Sequence, residues 1–158
     1  MRATKTSLLA LGMALALLAG CGTSALRGQA TAATVASVAL DTGGQTVDAA
    51  RSAALDAVEA RETDREARDA ALRAEAARWA PVGAALDACR DALLTWIETL
   101  ELARRGDEGA LGWETFVPLV ARVVLLYDSA ARLASGLGVE LPLLPDTVRA
   151  LATYPEGR

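Results

Sequence analysis

Histidine is absent from all 158 residues, and lysine occurs once, at Lys5. Both methionines, Met1 and Met13, lie near the amino terminus, so nothing beyond residue 20 is histidine, lysine or methionine. That stretch therefore lacks the commonest general base, the usual Schiff-base amine, and the imidazole and thioether ligands of zinc, copper and haem. Most catalytic templates go with them, and a non-enzymatic role with no cofactor and no bound metal is the expectation. Aromatic residues are also few: three Trp, two Tyr and one Phe. Arg2 and Lys5 hold two of the 16 basic charges, so residues 21–158 carry 14 against 20 acids, a formal balance of −6. With no basic block in it, this acidic stretch is unsuited to nucleic acid.

What is present starts with a positively charged segment, Arg2 and Lys5, followed by an apolar run from Leu8 to Leu18 broken only by Gly12. This is the layout of a secretory signal, and it is too short for a bilayer-spanning helix, which needs about 20 apolar residues. Leu18-Ala19-Gly20-Cys21 follows at once. These four residues resemble the lipobox of bacterial lipoprotein precursors at every position, and the resemblance covers the leader alone. It implies a signal peptide over residues 1–20, cleavage between Gly20 and Cys21, and a diacylglyceryl group on the Cys21 thiol. A further acyl chain on the freed amine would make the anchor stable, since one chain alone holds only marginally. Cleavage after Ala25 by an ordinary signal peptidase, or an uncleaved anchor, are the competing readings. Gly22 stands where an aspartate serves some Gram-negative lipoproteins as an inner-membrane retention signal. In such a host the resemblance therefore favours the outer membrane, facing the periplasm.

Residues 21–44 are rich in Gly, Ser, Thr and Ala and include Gly43-Gly44, the composition of a flexible tether, although Thr31 to Leu40 could form a short helix. Residues 45–158 read as a helical domain. From Gln45 to Arg105 alanine, leucine, glutamate and arginine dominate without a turn cluster, which predicts one long helix or two nearly collinear ones. Pro81 is its only interruption, and the surrounding residues predict a kink or tight break there rather than a reversal. The Arg61 to Asp69 stretch is almost wholly charged, with Asp64 and Arg68, Arg65 and Asp69, and Asp69 and Arg73 spaced for i, i+4 pairs on a solvated face.

After Pro81 the apolar spacing sharpens to three and four: Val82, Leu86, Cys89, Leu93, Trp96, Ile97 and Leu100. Gly106-Asp107-Glu108-Gly109 supplies a turn. A second stripe then runs through Trp113, Phe116, Val117, Val120, Val124, Tyr127, Ala131 and Ala134, with Pro118 tolerable near its start. The two segments should pack as an antiparallel hairpin. The Val117 to Tyr127 stretch contains Arg122 and is too short for a second membrane anchor. Leu137 to Pro145 suggests an extended apolar strap over the hairpin, and Asp146 to Tyr154 a last short helix. The expected fold is all-α: a long kinked helix plus an antiparallel helical hairpin, forming a three- to four-helix bundle.

Few residues suggest chemistry. Lipidation of Cys21 would leave Cys89 as the only thiol, and its place between Leu86 and Leu93 predicts buried packing rather than reactivity. Glu98, Glu101 and Glu114 near the turn could form a carboxylate pair, but surface acidity is the plainer reading. No Glu-Ser pair or sugar-binding aromatic cluster resembles the lipid-anchored cell-wall lytic enzymes. The final Arg158 also lacks the amine by which small trimeric lipoproteins join peptidoglycan. The favoured role is a lipid-anchored envelope protein acting through protein contacts, its partner another envelope protein or a second copy. Val47, Val58, Leu72 and Trp79, sparse apolar positions on the half-helix before Pro81, are the candidate interface. Two alternatives are a carrier holding a small apolar ligand between hairpin and strap, and a phage-type outer-membrane lysis lipoprotein.

Overall fold

The structure, a computed structural model, describes residues 24–106 and 113–153. The signal segment with Gly20 and Cys21, most of the expected turn after Gly106, and Tyr154 fall outside them. The described chain is all-α, with α1 at Ser24–Arg61, α2 at Arg65–Arg104, α3 at Trp113–Ser135 and α4 at Asp146–Ala152. The expected bundle is therefore present, but its helices divide differently from the sequence reading.

The first correction concerns the tether. Residues 24–44 are the first half of one 38-residue helix. Their hydroxyls turn back onto the helix itself: Thr31 donates to the Arg27 carbonyl, Thr34 to Ala30, Thr42 to Val38 and Thr46 to Thr42, each at 2.8–2.9 Å. Side chains that would solvate a flexible segment are thus absorbed in i to i−4 bonds. The small residues pack: Ala32, Ala33, Ala36, Ala39 and Leu40 are buried. Gly43 lies under Tyr127, where an added Cβ would stand 3.2 Å from the phenol oxygen. The glycine serves close approach of two helices rather than flexibility.

The second correction concerns Pro81. Helix α2 runs through it, with Pro81 exposed and Trp79 and Val82 buried on either side. The chain reverses instead at Glu62-Thr63-Asp64. The Glu62 amide still donates to the Val58 carbonyl, and the Asp64 carboxylate accepts from the Ala67 amide at 2.9 Å, capping α2. Asp64 is spent on the cap, and the three i, i+4 ion pairs expected from Asp64 to Arg73 do not close. Glu75 with Arg78 and Asp87 with Arg90, both i, i+3 at 2.8 Å, are the ion pairs of α2 before its last turn.

Each long helix presents one seam at alternating steps of four and three. In α1 it runs Gln29, Ala33, Ala36, Leu40, Gly43, Val47; in α2 Trp79, Val82, Leu86, Cys89, Leu93, Trp96, Leu100, Ala103; in α3 Phe116, Val120, Val123, Tyr127, Ala130, Ala134. That 3.5-residue period is the one that keeps helices side by side at shallow crossing angles. Helix α2 packs against both α1 and α3, antiparallel to each, which makes it the centre of the bundle. After α3, Gly138 at φ +81° turns the chain into the strap, while the Val139 amide closes onto the Ala134 carbonyl. Leu144 and Val148 are buried, and α4 packs on α3 and, less extensively, on α1.

Candidate functional site

At 1.5 Å per residue, α1 and α2 are about 57 and 60 Å long and α3 only about 35 Å. Helix α3 meets the carboxyl-terminal half of α2, as the contact of Cys89 Sγ with the Val123 carbonyl at 3.5 Å shows. Beyond that half the burial thins: between Val47 and Trp79 the only buried side chain is Val58. The seam continues as Ala50 and Ala54 on α1 and Arg68, Leu72 and Glu75 on α2, all half-buried. Residues 48–78 thus form a two-helix projection ending at Thr63. The projection carries eight acids against six arginines.

This arrangement corrects the candidate interface. Val47, Val58 and Trp79 are buried within the chain and Leu72 is half-buried, so the four hold the hairpin together instead of offering themselves to a partner. Trp79 Nε1–H donates to Glu75 Oε1 at 2.9 Å, and Arg78 contacts Glu75 Oε2 at 2.8 Å. The bond from Trp79, more than the arginine, holds the Glu75 carboxyl below its ordinary range. The charged tip, as predicted, is exposed: Arg61, Thr63, Asp64, Arg65, Glu66 and Asp69 face solvent.

At the other end of the bundle three polar fastenings lock helix to helix, none of them evident from the sequence. Trp96 Nε1–H donates to Gln29 Oε1 at 3.1 Å across the α1–α2 seam, leaving the buried Gln29 Nε2 without a partner. The Tyr127 hydroxyl donates to the Pro142 carbonyl at 2.7 Å and stands 3.3 Å from the Ala39 carbonyl, so α3 fastens both the strap and α1. Arg149 grips Asp128 through both amines at 2.7 and 3.0 Å, pinning α4 on α3. This fastening raises the arginine's pKa further. The one available signal was Gln29, a lone amide in an alanine-rich stretch.

Cys89 is fully buried, and burial pushes its thiol up to about 12, so it is packing, as expected. Burial first, and then the neighbouring Cys89 and Asp128, push the Tyr127 phenol up to about 12. The three glutamates near the turn stay apart in role. Glu98 and Glu114 are exposed, and Glu101 faces Arg105 at 3.8 Å. Among the described residues no group of three or more His, Cys, Asp or Glu could hold a metal ion, and no helix is long and apolar enough to cross a membrane. Where the strap and α4 meet the hairpin, Tyr127, Leu144 and Val148 are at most 2% exposed.

No family model, no curated protein and no solved structure matches this chain. The fold and site define a class by geometry alone: an antiparallel three-helix bundle, closed by a strap and a short fourth helix, with a charged two-helix projection at one end.

Proposed function

We propose that this protein is a bacterial lipoprotein, anchored in the cell envelope by acyl chains on Cys21 and acting there through protein contacts. The observation that carries the reading is Leu18-Ala19-Gly20-Cys21 at the end of a positively led apolar segment. Its residue types suit the chemistry: a thiol to take the diacylglyceryl group, and small Ala19 and Gly20 to admit a peptidase to the backbone before it. The contact role is supported by the shape of the body. A projection of two long helices with a thin alanine seam offers a large exposed surface while contributing little to the core. In a Gram-negative host, Gly22 favours the outer membrane with the body in the periplasm.

The test is in-cell cross-linking of the full chain followed by mass spectrometry, with Cys21→Ala as the mislocalised control. The reading predicts loss of membrane association in the control, together with loss of one recurrent cross-linked partner. Unchanged membrane association in Cys21→Ala would contradict the anchor. Cross-links confined to copies of this chain would contradict an adaptor role and leave a self-assembling lipoprotein.

A further inference from the structure

We propose that the α1–α2 hairpin is a rigid strut that holds its charged tip at a fixed height of about 56 Å above the lipid surface. The inference rests on the lipid anchor proposed above and deepens it. Three peptide units separate Cys21 from Ser24, where α1 begins, and they span at most about 11 Å. The chain therefore has no long leash. The base of the bundle, with the start of α1 and the end of α2, must lie next to the acylated cysteine. From there α1 runs unbroken to Arg61, and 37 steps of helix rise cover about 56 Å.

Two features make this length a property of the fold. Gly43-Gly44 is the one pair of adjacent glycines in α1, and Gly43 lies against Tyr127, whose hydroxyl is held between the Pro142 and Ala39 carbonyls. The place where α1 would bend most readily is thus braced from α3. Above the brace, α1 and α2 support each other through Val47, Val58, Leu72 and Trp79. Charge also acts against lying down. The projection is acidic on balance, residues 21–158 carry −6, and bilayer surfaces rich in anionic lipid attract basic segments and repel acidic ones. The large apolar side chains that would favour a recumbent bundle are the exposed Val38, Leu102, Leu125, Leu133 and Leu143, and none of them lies on the projection.

A strut acts by distance. Whatever it meets through Arg61, Thr63 and Arg65 is met at one height, in contrast to a tether that samples every height up to its contour length. The experiment uses the full 158-residue chain expressed in a bacterial host and purified from membranes in detergent. It is placed in a supported bilayer of phosphatidylethanolamine and phosphatidylglycerol. Intact mass reads the acylation, and neutron reflectometry reads the thickness of the protein layer.

The strut predicts a layer about 60 Å thick. Deleting one heptad from each helix of the projection, residues 51–57 with 68–74, keeps the seam in register and should thin it by about 10 Å. A Gly-Ser insertion of ten residues between Thr23 and Ser24 leaves the bundle intact and should replace the defined layer with a diffuse one. An acylated chain whose layer is only about 20–25 Å thick, two helix diameters, overturns the strut and leaves the lipid anchor standing. A layer that the linker insertion does not alter also overturns it, because the short link would then not set the height. A purified chain without diacylglyceryl mass on Cys21 overturns the anchor and the strut together.

Discussion

Gly43 and Gly44 are neighbours in one helix and should respond oppositely to the same substitution. An added Cβ at Gly44 meets nothing within 4 Å, so Gly44→Ala should gain the full helix-propensity difference, about 0.5–1 kcal/mol. At Gly43 the Cβ would meet the Tyr127 hydroxyl at 3.2 Å. That oxygen cannot retreat freely, because it donates to the Pro142 carbonyl at 2.7 Å and stands 3.3 Å from the Ala39 carbonyl. Gly43→Ala should therefore lose in strained hydrogen bonding what it gains in the helix, and come out neutral or destabilising by about 1 kcal/mol. Tyr127→Phe removes the buried donor that serves the Pro142 carbonyl and should cost about 1–2 kcal/mol. In the Tyr127→Phe background the next contacts of a Gly43 Cβ, with Leu141 and the ring of residue 127, are an ordinary 3.8 Å. There Gly43→Ala should stabilise as Gly44→Ala does, for a coupling of about 0.5–2 kcal/mol. Guanidinium denaturation followed by circular dichroism measures all four variants and the parent. Gly43→Ala as stabilising as Gly44→Ala in the parent would refute the close packing of Gly43 against Tyr127, and both substitutions without effect would refute the helix and restore a tether.

Three further outcomes follow from the same contacts. In the folded protein the Cys89 thiol and Tyr127 phenol are both pushed up to about 12, from ordinary values of 9.0 and 10.0. Because the unfolded chain releases these protons first, their contribution is complete below pH 9 and is lost as pH rises towards 12. Denaturation midpoints should be flat from pH 7 to 9 and fall beyond, and Cys89→Ala should show a shallower fall; an equal slope would count against burial of the thiol. The Arg149–Asp128 pair has side chains about one-third exposed. A double-mutant cycle with Arg149→Ala and Asp128→Ala should give only about 0.5–1.5 kcal/mol, weakening in high salt, and salt-independence would contradict the solvent-screened geometry. Amide hydrogen exchange should be slower at residues 30–43, inside the bundle, than at residues 50–76 in the projection. A tether over 21–44 requires the reverse order.

The sequence made α2 and α3 legible and α1 illegible, for a reason that lies in the residue types. Leu86, Cys89, Leu93, Trp96 and Leu100 contrast sharply with the charges between them, so their 3-4 spacing announces a buried stripe, and all five are buried. In α3 the spacing placed the helix and its inward face, though Val123 and Ala130 are the seam residues rather than Val124 and Ala131. The α1 seam consists of Gln29, Ala33, Ala36, Leu40, Gly43 and Val47, of which only two are large apolar residues. Alanine forms helices and fills tight cores equally well, so an alanine seam beside alanine surface leaves no periodic contrast. Thr and Gly carry the composition of a linker, and neither the threonine bonds within the helix nor the approach of Gly43 to Tyr127 is written in that composition. The reversal at Glu62–Asp64 was hidden by its charges. Asp64 resembles the partner of Arg68 on a continuing helix until its carboxylate is seen capping Ala67.

The most direct test of the account is the length of α1, measured by double electron–electron resonance. Spin labels at Thr31→Cys and Thr63→Cys, both exposed positions, are introduced with Cys21→Ala and Cys89→Ala so that no other thiol reacts. The continuous helix from Thr31 to Arg61 rises about 45 Å, and with the second label two residues beyond its end the distribution should be narrow and centred close to that value. A broad distribution centred well below that value would mean that residues 31–44 are flexible, and would contradict both the packed first helix and the strut built on it.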